Sequence, residues 1–172
     1  MKPIKGRAYK FGDNINTDVI YPGKYLSITT DREEMARHCF EAVYPEFMQN
    51  ARAGDMIVAG RNFGCGSSRE QAASCLKYFG IGAVVAESFA RIFYRNAINL
   101  GLPVIVAPSV SGIIEHGDMV EVDPVQGYVK NERTGKRIES TQLPSFILEI
   151  ISEGGLINHL RKRLGTKGRE DK

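Results

Sequence analysis

Residues 55–86 read DMIVAGRNFGCGSSREQAASCLKYFGIGAVVA and contain the clearest secondary-structure pattern of the chain. The apolar run at 55–60 predicts a short buried strand, and the glycine-rich segment after it leads into a helical run at 68–79. Gly80 is well placed to end that helix, because glycine readily adopts the left-handed conformation that closes many helices. The second apolar run, at 82–86, predicts another buried strand. The stretch is therefore a β-loop-α-β unit.

The same alternation continues on both sides of this unit. Residues 6–11 predict a strand, and residues 12–18, which are dense in Asp, Asn and Gly, predict a loop. Downstream, Ser88 is predicted to cap a helix that runs to Leu100, and residues 103–107 predict a further strand. Strands that alternate with helices favour an α/β fold, in which the loops at the strand ends are available for chemistry.

The remaining segments predict helices and a small antiparallel meander. A helix capped by Thr30 or Asp31 is expected to end before Pro45. The C-terminal third is expected to begin with the meander, formed by residues 119–123 and the segments around 134–135. Two helices are expected after it, at residues 144–153 and 156–164. Since no internal repeat or linker interrupts the chain, residues 1–164 are predicted to form one domain, followed by a flexible basic tail at 165–172.

Composition argues against several classes of protein. Hydrophobic residues make up 42% of the 172-residue chain and charged residues 25%, which is typical of globular domains. Much of the positive charge lies near the C-terminus, where no aromatic side chains interleave the cations, so nucleic acid is not an expected partner. No apolar run approaches the ~18 residues that span a bilayer, and the N-terminus lacks the apolar segment of a signal peptide. A cytoplasmic location without membrane contact is therefore expected.

The cysteine and histidine residues form no recognisable disulfide or metal pattern. Cys39, Cys65 and Cys75 are odd in number and contain no C-x-x-C pair, which argues against a disulfide framework and against a self-contained metal site. The three histidines lie outside the motifs described below, so neither a histidine base nor a zinc site is expected. They are His38, His116 and His159. The thiols are expected to be reduced, and the chain is expected to bind no metal by itself.

Residues 64–70 (GCGSSRE) form the segment with the clearest chemical content. Two glycines let the backbone turn tightly where a helix is predicted to begin, and a helix N-terminus favours an anion. Ser67 and Ser68 add hydroxyl groups, and the guanidinium of Arg69 can bind a carboxylate or phosphate through two hydrogen bonds. From the residues alone, an ordinary capping box is an equally good interpretation, with Ser67 or Ser68 as the cap and Arg69 as a surface cation.

Three blocks of the sequence carry a resemblance to a known family. Residues 60–70 (GRNFGCGSSRE) are similar to the signature of the mobile domain of the aconitase superfamily. Residues 88–96 (SFARIFYRN) resemble its second block, and Asn16-Thr17-Asp18 resembles its third. All three occur in the expected order, and the similarity extends from about residue 6 to residue 108. Within the superfamily, the chain most resembles the stand-alone small subunits of 3-isopropylmalate dehydratase, homoaconitase and methylmalate dehydratase.

The resemblance implies a three-layer β/β/α swivel domain that covers a four-iron four-sulfur cluster held by cysteines of a separate large subunit. It implies a hydro-lyase that interconverts 2-isopropylmalate and 3-isopropylmalate in leucine biosynthesis, active only as a heterodimer or heterotetramer with that subunit. Three related substrates remain as alternatives: 2-methylmalate (citramalate), 2,3-dimethylmalate and homoaconitate. A function of a different class is an anion-binding or RNA-binding regulatory module, against which the lack of a basic, aromatic face argues.

The resemblance also implies roles for individual residues. Ser67 matches the base that removes a proton from the substrate carbon. Ser68 and Arg69 match residues that bind a substrate carboxylate, and Asp18 matches an aspartate that completes the site. Without the resemblance, Asp18 would be interpreted as a turn aspartate that bonds the local backbone.

Other residues of the matched blocks are assigned less directly. Arg91 and Arg95 lie four residues apart on the predicted helix of the second block and are predicted to support the site from outside it. Ion pairing on a solvated helix face explains that spacing equally well. Gln71 stands where many relatives have histidine, which leaves the assignment of the base intact and the exact subfamily open.

Residues 25–30 (YLSITT) match the segment that determines substrate specificity in the family. Tyr25, Leu26 and Ile28 are expected to contact the substrate. The segment lacks the arginine that homoaconitase-like versions use for a distal carboxylate, and the apolar Ile28 favours an alkyl group at that position. Lys24 is the neighbouring residue whose flexible side chain can supply a positive charge there.

Overall fold

The computed structural model describes residues 1–27 and 31–165, and a seven-stranded mixed sheet organises it. The strands are β1 (Ile4–Lys10), β2 (Met56–Ala59), β3 (Ala83–Ala86), β4 (Val104–Val106), β5 (Met119–Asp123), β6 (Tyr128–Asn131) and β7 (Arg137–Glu139). Their order across the sheet is β4-β3-β2-β1-β5-β6-β7. The predicted tail lies outside the described ranges except for its first residue.

Helices pack together beside this sheet. They are α1 (Thr17–Ile20), α2 (Arg32–Ala36), α3 (Phe47–Asn50), α4 (Glu70–Phe79), α5 (Arg91–Asn99), α6 (Ser145–Ser152) and α7 (Leu156–Arg163). Helix α4 contacts α2 and α5, and α5 in turn contacts α6 and α7, so the helices form one connected group. In the described part of the chain, no helix combines the length and the apolar character that crossing a lipid bilayer requires.

Strand β1 belongs to both halves of the sheet. Its first part, from Ile4 to Arg7, pairs antiparallel with β5, whereas residues 8–10 pair parallel with β2. Strands β2, β3 and β4 continue the parallel half, and β5, β6 and β7 form the predicted antiparallel meander. One strand therefore joins a parallel half, which carries the matched sequence blocks, to an antiparallel half.

The parallel strands form the centre of the hydrophobic core. Every residue of β2 and β3 is fully buried, so both faces of these strands are covered. A strand without a solvent-facing side needs no polar residues, which explains the uninterrupted apolar runs that predicted these two strands. Strand β5 is different, because Val120 and Val122 are buried there while Met119 and Glu121 are at least partly exposed.

Helix α4 ends where predicted but begins two residues later. Gly80 adopts the left-handed conformation, with φ of 92°, and its N–H bonds carbonyl groups of the last turn. The first helical residue is Glu70 rather than Ser68, and Arg69 at the N-cap position makes no side-chain hydrogen bond to the helix. The alternative capping box is therefore not formed, and the helix N-terminus is left without a side-chain cap.

Two other predicted caps have different outcomes. Asp31 caps α2 by accepting a backbone N–H at 2.9 Å, and that helix ends at Ala36, well before the predicted limit. The prediction for Ser88 is wrong, because α5 begins after Ala90. The Ser88 hydroxyl instead accepts the backbone N–H of Asn62 at 2.8 Å. A tertiary contact between two loops thus replaces the local cap.

Candidate active site

Three loops meet at the carboxyl ends of the parallel strands. They follow β1, β2 and β3, and each of the three matched sequence blocks begins in one of them and runs into the helix that follows. Backbone hydrogen bonds continue the strand pairing into the loops: the Gly64 N–H donates to the Ile15 carbonyl at 2.7 Å, and the Phe63 N–H donates to the Ser88 carbonyl at 3.0 Å. Blocks that are far apart in sequence therefore lie side by side, at the edge where parallel sheets commonly bind ligands.

Glycine is required at position 64, where the backbone passes close to helix α5. Gly64 has a φ of 78°, and a Cβ atom there would collide with the ring of Phe93. Phe93 is buried and contacts Phe63 edge to face, with 5.1 Å between the ring centroids. The second block therefore positions the loop that leads to Ser67 through aromatic packing, in addition to the hydrogen bonds that Ser88 makes with it.

Ser67, the predicted base, is exposed at this edge and contacts Thr17. The Thr17 hydroxyl donates to the Ser67 carbonyl oxygen at 3.2 Å and lies 3.4 Å from the Ser67 hydroxyl. Thr17 is 2% exposed, so the surrounding core holds its side chain in place. Sequence reasoning missed Thr17 as a site residue. Its place beside Asp18 in the matched block was the available signal.

Asp18 and Arg69 form an ion pair that joins helix α1 to the loop before α4. The Arg69 Nη1 donates to Asp18 Oδ1. The arginine side chain is 22% exposed and the aspartate side chain 58%, so the pair lies at the protein surface. Asp18 lies in the one-turn helix α1 and not in a loop, and Asn16 makes the local backbone bond by accepting the Val19 N–H at 2.8 Å. The turn-aspartate interpretation of Asp18 therefore does not hold.

Gly23, two residues before the segment 25–30 that is predicted to determine specificity, borders this pair. A Cβ atom on Gly23 would lie 3.0 Å from Asp18 Oδ1 and 3.1 Å from Arg69 Nη1. Tyr25 and Leu26 follow and are partly buried. Ile28, the third predicted substrate contact, lies outside the described residues. The segment from Gly23 to Ser27 is called the 23–27 loop below.

A carboxylate outside the predicted set holds the 23–27 loop. Glu41 Oε1 accepts a hydrogen bond from the Tyr25 hydroxyl at 2.8 Å and lies 3.1 Å from the ammonium group of Lys24. Its other oxygen, Oε2, lies 2.8 Å from His38 Nδ1. The hydrogen bond from Tyr25, followed by those from His38 and Lys24, lowers the pKa of Glu41 to about 2. Sequence reasoning missed Glu41, because it lies in no matched block.

The other predicted site residues, Ser68, Arg91 and Arg95, make no side-chain hydrogen bond or ion pair with the Asp18–Arg69 pair or with Ser67 in the described part of the chain. Ser68 is exposed, and its hydroxyl makes no hydrogen bond within residues 1–27 and 31–165. Arg91 and Arg95 lie on the exposed face of α5, and neither has an ion pair or hydrogen bond of its side chain to the part of the chain that the structure describes. The structure therefore brings Ser67, Asp18 and Arg69 to one edge but places neither arginine of α5 in contact with them.

The cysteines of this chain do not fit a cluster of iron and sulfur. Cys39 and Cys75 are fully buried, and burial raises the pKa of the Cys39 thiol well above its usual range. Cys65 is partly exposed, in the loop that leads to Ser67. Across the described ranges, no group of three or more His, Cys, Asp and Glu side chains is arranged to hold a metal ion. These donors therefore offer no ligand set for such a cluster.

Comparison with known proteins shows a family. The model of the aconitase C-terminal domain matches residues 8–109. The small subunit 1 of 3-isopropylmalate dehydratase from Methanopyrus kandleri is 54% identical over 167 residues, which cover 97% of each chain. The methanogen homoaconitase small subunit from Methanothermobacter thermautotrophicus is 50% identical over 95% of this chain and 94% of its own.

A solved structure agrees with these relatives. The crystal structure of 3-isopropylmalate dehydratase from Methanocaldococcus jannaschii superposes with a TM-score of 0.88 at 50% identity, covering 95% of this chain and 96% of the other. The fold class predicted from the sequence, the α/β swivel domain of the aconitase superfamily, is confirmed by these matches. This chain belongs to the aconitase C-terminal domain family and, within it, to the family of 3-isopropylmalate dehydratase small subunits.

Proposed function

We propose that this chain is the small subunit of a hydro-lyase of the 3-isopropylmalate dehydratase type. The enzyme removes water from a 2-hydroxy dicarboxylic acid and adds it back at the neighbouring carbon. The observation that carries the proposal is the juxtaposition of an exposed Ser67 with the Asp18–Arg69 pair at one edge of the parallel strands. Such a substrate needs a proton acceptor beside a group that binds carboxylate, and relatives about half identical over nearly the whole chain bear this name.

Ser67 takes the proton from the substrate carbon in this proposal. A serine hydroxyl is a weak acceptor at its ordinary pKa, so its anionic form must be stabilised by its surroundings. The uncapped N-terminus of the ten-residue helix α4 and the guanidinium of Arg69 both contribute positive potential there. The buried Thr17 hydroxyl holds the Ser67 backbone and side chain in position.

Arg69 binds a carboxylate of the substrate. Its Nη1 is used by Asp18, and the other donors of the guanidinium remain for a ligand. A planar group with five N–H donors can bind a protein carboxylate and a substrate carboxylate at the same time. Asp18 therefore orients the guanidinium, and the exposed hydroxyl of Ser68 supplies a further hydrogen bond to the substrate.

A second protein completes the site. Ser67, Ser68 and Asp18 are exposed in this chain, whereas substrates are normally enclosed during such chemistry. We infer that an iron-sulfur large subunit covers this edge and carries the four-iron four-sulfur cluster, since the donors described above do not fit one. The two chains assemble as a heterodimer or heterotetramer.

The 23–27 loop favours a substrate with an alkyl substituent. Leu26 gives the loop a hydrocarbon side chain that is only partly buried, and the ammonium of Lys24 is paired with Glu41. 3-Isopropylmalate is therefore the proposed substrate, with 2-methylmalate, 2,3-dimethylmalate and homoaconitate as alternatives. Overall identity does not separate these substrates, because a relative named as a homoaconitase small subunit is 50% identical.

The proposal is tested by mixing the purified chain with its large subunit, prepared without oxygen. The ultraviolet absorbance of the unsaturated acid formed from 3-isopropylmalate is followed. We expect no turnover by this chain alone and steady turnover by the mixture. Turnover by the chain alone would refute the two-subunit site. A mixture that acts on none of the four substrates would refute the assigned reaction.

A further inference from the structure

The 23–27 loop carries one cationic residue directly after a glycine that borders the groups proposed to bind carboxylate. Residues 22–27 read PGKYLS, so Lys24 is the cation of this segment. It follows Gly23 directly, and the Cβ position of Gly23 is 3.0 Å from Asp18 Oδ1 and 3.1 Å from Arg69 Nη1. A free ammonium at this place would attract a second carboxylate of a bound substrate.

The carboxylate of Glu41 forms an ion pair with the ammonium group of Lys24. Its Oε1 lies 3.1 Å from Lys24 Nζ and also accepts the Tyr25 hydroxyl at 2.8 Å, so a single carboxylate oxygen binds two consecutive residues of the loop. The lysine Nζ lies 4.7 Å from the centroid of the Tyr25 ring, which favours the same orientation of the lysine. The Lys24 ammonium is therefore paired with Glu41, although the lysine side chain remains 64% exposed.

The segment that holds Glu41 is itself well anchored. The ring of His38 stacks on the ring of Tyr25, with 3.6 Å between centroids and 14° between planes. Its Nδ1 lies 2.8 Å from Glu41 Oε2, and its Nε2 lies 3.2 Å from Glu34 Oε1. Glu41 is thus fixed from one side by His38 and binds the loop from the other.

We propose that Glu41 is a specificity-determining positioning residue, which neutralises Lys24 and anchors Tyr25 so that the 23–27 loop offers no free cation to the substrate. In this proposal Glu41 acts on the substrate only through Lys24 and Tyr25, the two loop residues that it binds. The inference rests on the proposed function, since it concerns which 2-hydroxy acid the completed site prefers. It predicts that discrimination against a carboxylate substituent depends on the negative charge of Glu41.

The test compares kcat/KM for 3-isopropylmalate and homoaconitate in the reconstituted two-subunit enzyme. Glu41→Gln is expected to narrow the preference for the alkyl substrate by up to about fivefold, since one solvent-exposed ion pair contributes at most about 1 kcal/mol. The change should appear as a lower KM for homoaconitate. Adding Lys24→Met to Glu41→Gln should restore the original preference, and Glu41→Asp should retain most of it.

Glu34→Gln is the matched control, because it removes the same charge from the same cluster without touching Lys24. Glu34→Gln is expected to leave the preference for 3-isopropylmalate over homoaconitate unchanged. Thermal unfolding of each variant checks that the chain still folds. The inference is overturned if Glu41→Gln has the wild-type ratio of kcat/KM for the two substrates. It is also overturned if adding Lys24→Met to Glu41→Gln leaves the altered ratio unchanged. If the wild-type enzyme acts on neither substrate, the proposed function itself fails, which is a distinguishable result.

Discussion

The hydroxyl of Thr17 lies 3.2 Å from the carbonyl oxygen of Ser67 and 3.4 Å from its hydroxyl, although 50 positions separate the two residues. Thr17 is buried and Ser67 is exposed, so the contact links the core of the domain to the edge where substrate is proposed to bind. A base that must approach a carbon atom depends on such support, because small displacements reduce the rate.

Thr17→Val should therefore reduce kcat with little change in KM. The substitution keeps the shape of the side chain and removes one neutral hydrogen bond, which is worth about 1 kcal/mol, or roughly fivefold in rate. Steady-state kinetics of the reconstituted enzyme measure the effect. Thr17→Ser retains the hydroxyl and should retain most of the rate. Equal losses in the two variants would argue against positioning by the hydroxyl.

Removal of the Ser67 hydroxyl should abolish turnover. A general base typically contributes about 10²-fold or more, so Ser67→Ala should lower kcat by at least that factor while KM changes little. Ser152→Ala, on α6, removes another exposed hydroxyl and should have no effect on kcat. If Ser67→Ala kept more than about a tenth of the wild-type kcat, another group would have to be the base.

Arg69→Lys should act mainly on substrate binding. Lysine keeps the charge but cannot provide two parallel N–H donors to a carboxylate, so KM should rise by roughly tenfold or more. A smaller decrease in kcat is expected from the altered position of the substrate. Initial rates over a range of substrate concentrations separate the two effects. A lower kcat at unchanged KM would contradict the carboxylate-binding role.

Gly64→Ala should destabilise the domain by roughly 3 kcal/mol, through the left-handed backbone and the overlap of the new Cβ atom with Phe93. Urea unfolding of the isolated chain measures this change. Gly112→Ala is the matched control, since a Cβ atom there meets no atom within 4 Å. Similar unfolding midpoints for the two variants would show that neither the left-handed backbone nor the overlap with Phe93 costs the predicted energy.

The ion pair between Asp118 and Arg133 should make stability depend on pH in the acid range. Hydrogen bonding by Arg133, then by the Glu115 backbone and Asn131, lowers the pKa of Asp118 from 3.8 to about 2. Because the folded-state pKa is the lower one, the stabilisation is fully present above about pH 4 and is lost as pH falls towards 2. Asp118→Asn should remove roughly 2 kcal/mol at pH 7.

Urea unfolding at pH 7, 4 and 2 tests this prediction. The difference between wild type and Asp118→Asn should shrink towards zero at the lowest pH. A difference that stays constant across the series would show that the carboxylate charge contributes nothing, and that the substitution acts through packing alone.

A positive charge added to the 23–27 loop should improve activity on a substrate that carries a carboxylate in place of the alkyl group. A carboxylate buried there without a fixed partner costs several kcal/mol, so the enzyme should prefer 3-isopropylmalate to homoaconitate by at least about a hundredfold in kcat/KM. Ser27→Arg should narrow the gap, whereas the neutral Ser27→Gln should not. Comparable kcat/KM values of the wild-type enzyme for 3-isopropylmalate and homoaconitate would contradict the predicted preference for an alkyl group.

Local sequence patterns determined the core of this protein. Continuous apolar runs predicted β2 and β3, and Gly80 predicted the end of α4, because these features depend on a few neighbouring residues and on burial on both faces. The matched blocks predicted Ser67, Arg69 and Asp18 as site residues, and the structure places the three at one edge of the sheet. The same local reasoning was wrong for Ser88, whose hydroxyl bonds the backbone of Asn62 and not the helix that follows it.

Only the tertiary structure decided which polar side chains meet. Asp18 and Arg69 are 51 positions apart, and Thr17 and Ser67 are 50 apart, yet each pair is in contact. These contacts arise because β1 and β2 are neighbouring parallel strands, whose following loops must leave the sheet at the same edge. No sequence period encodes that adjacency, since strand order is set by the packing of the whole core.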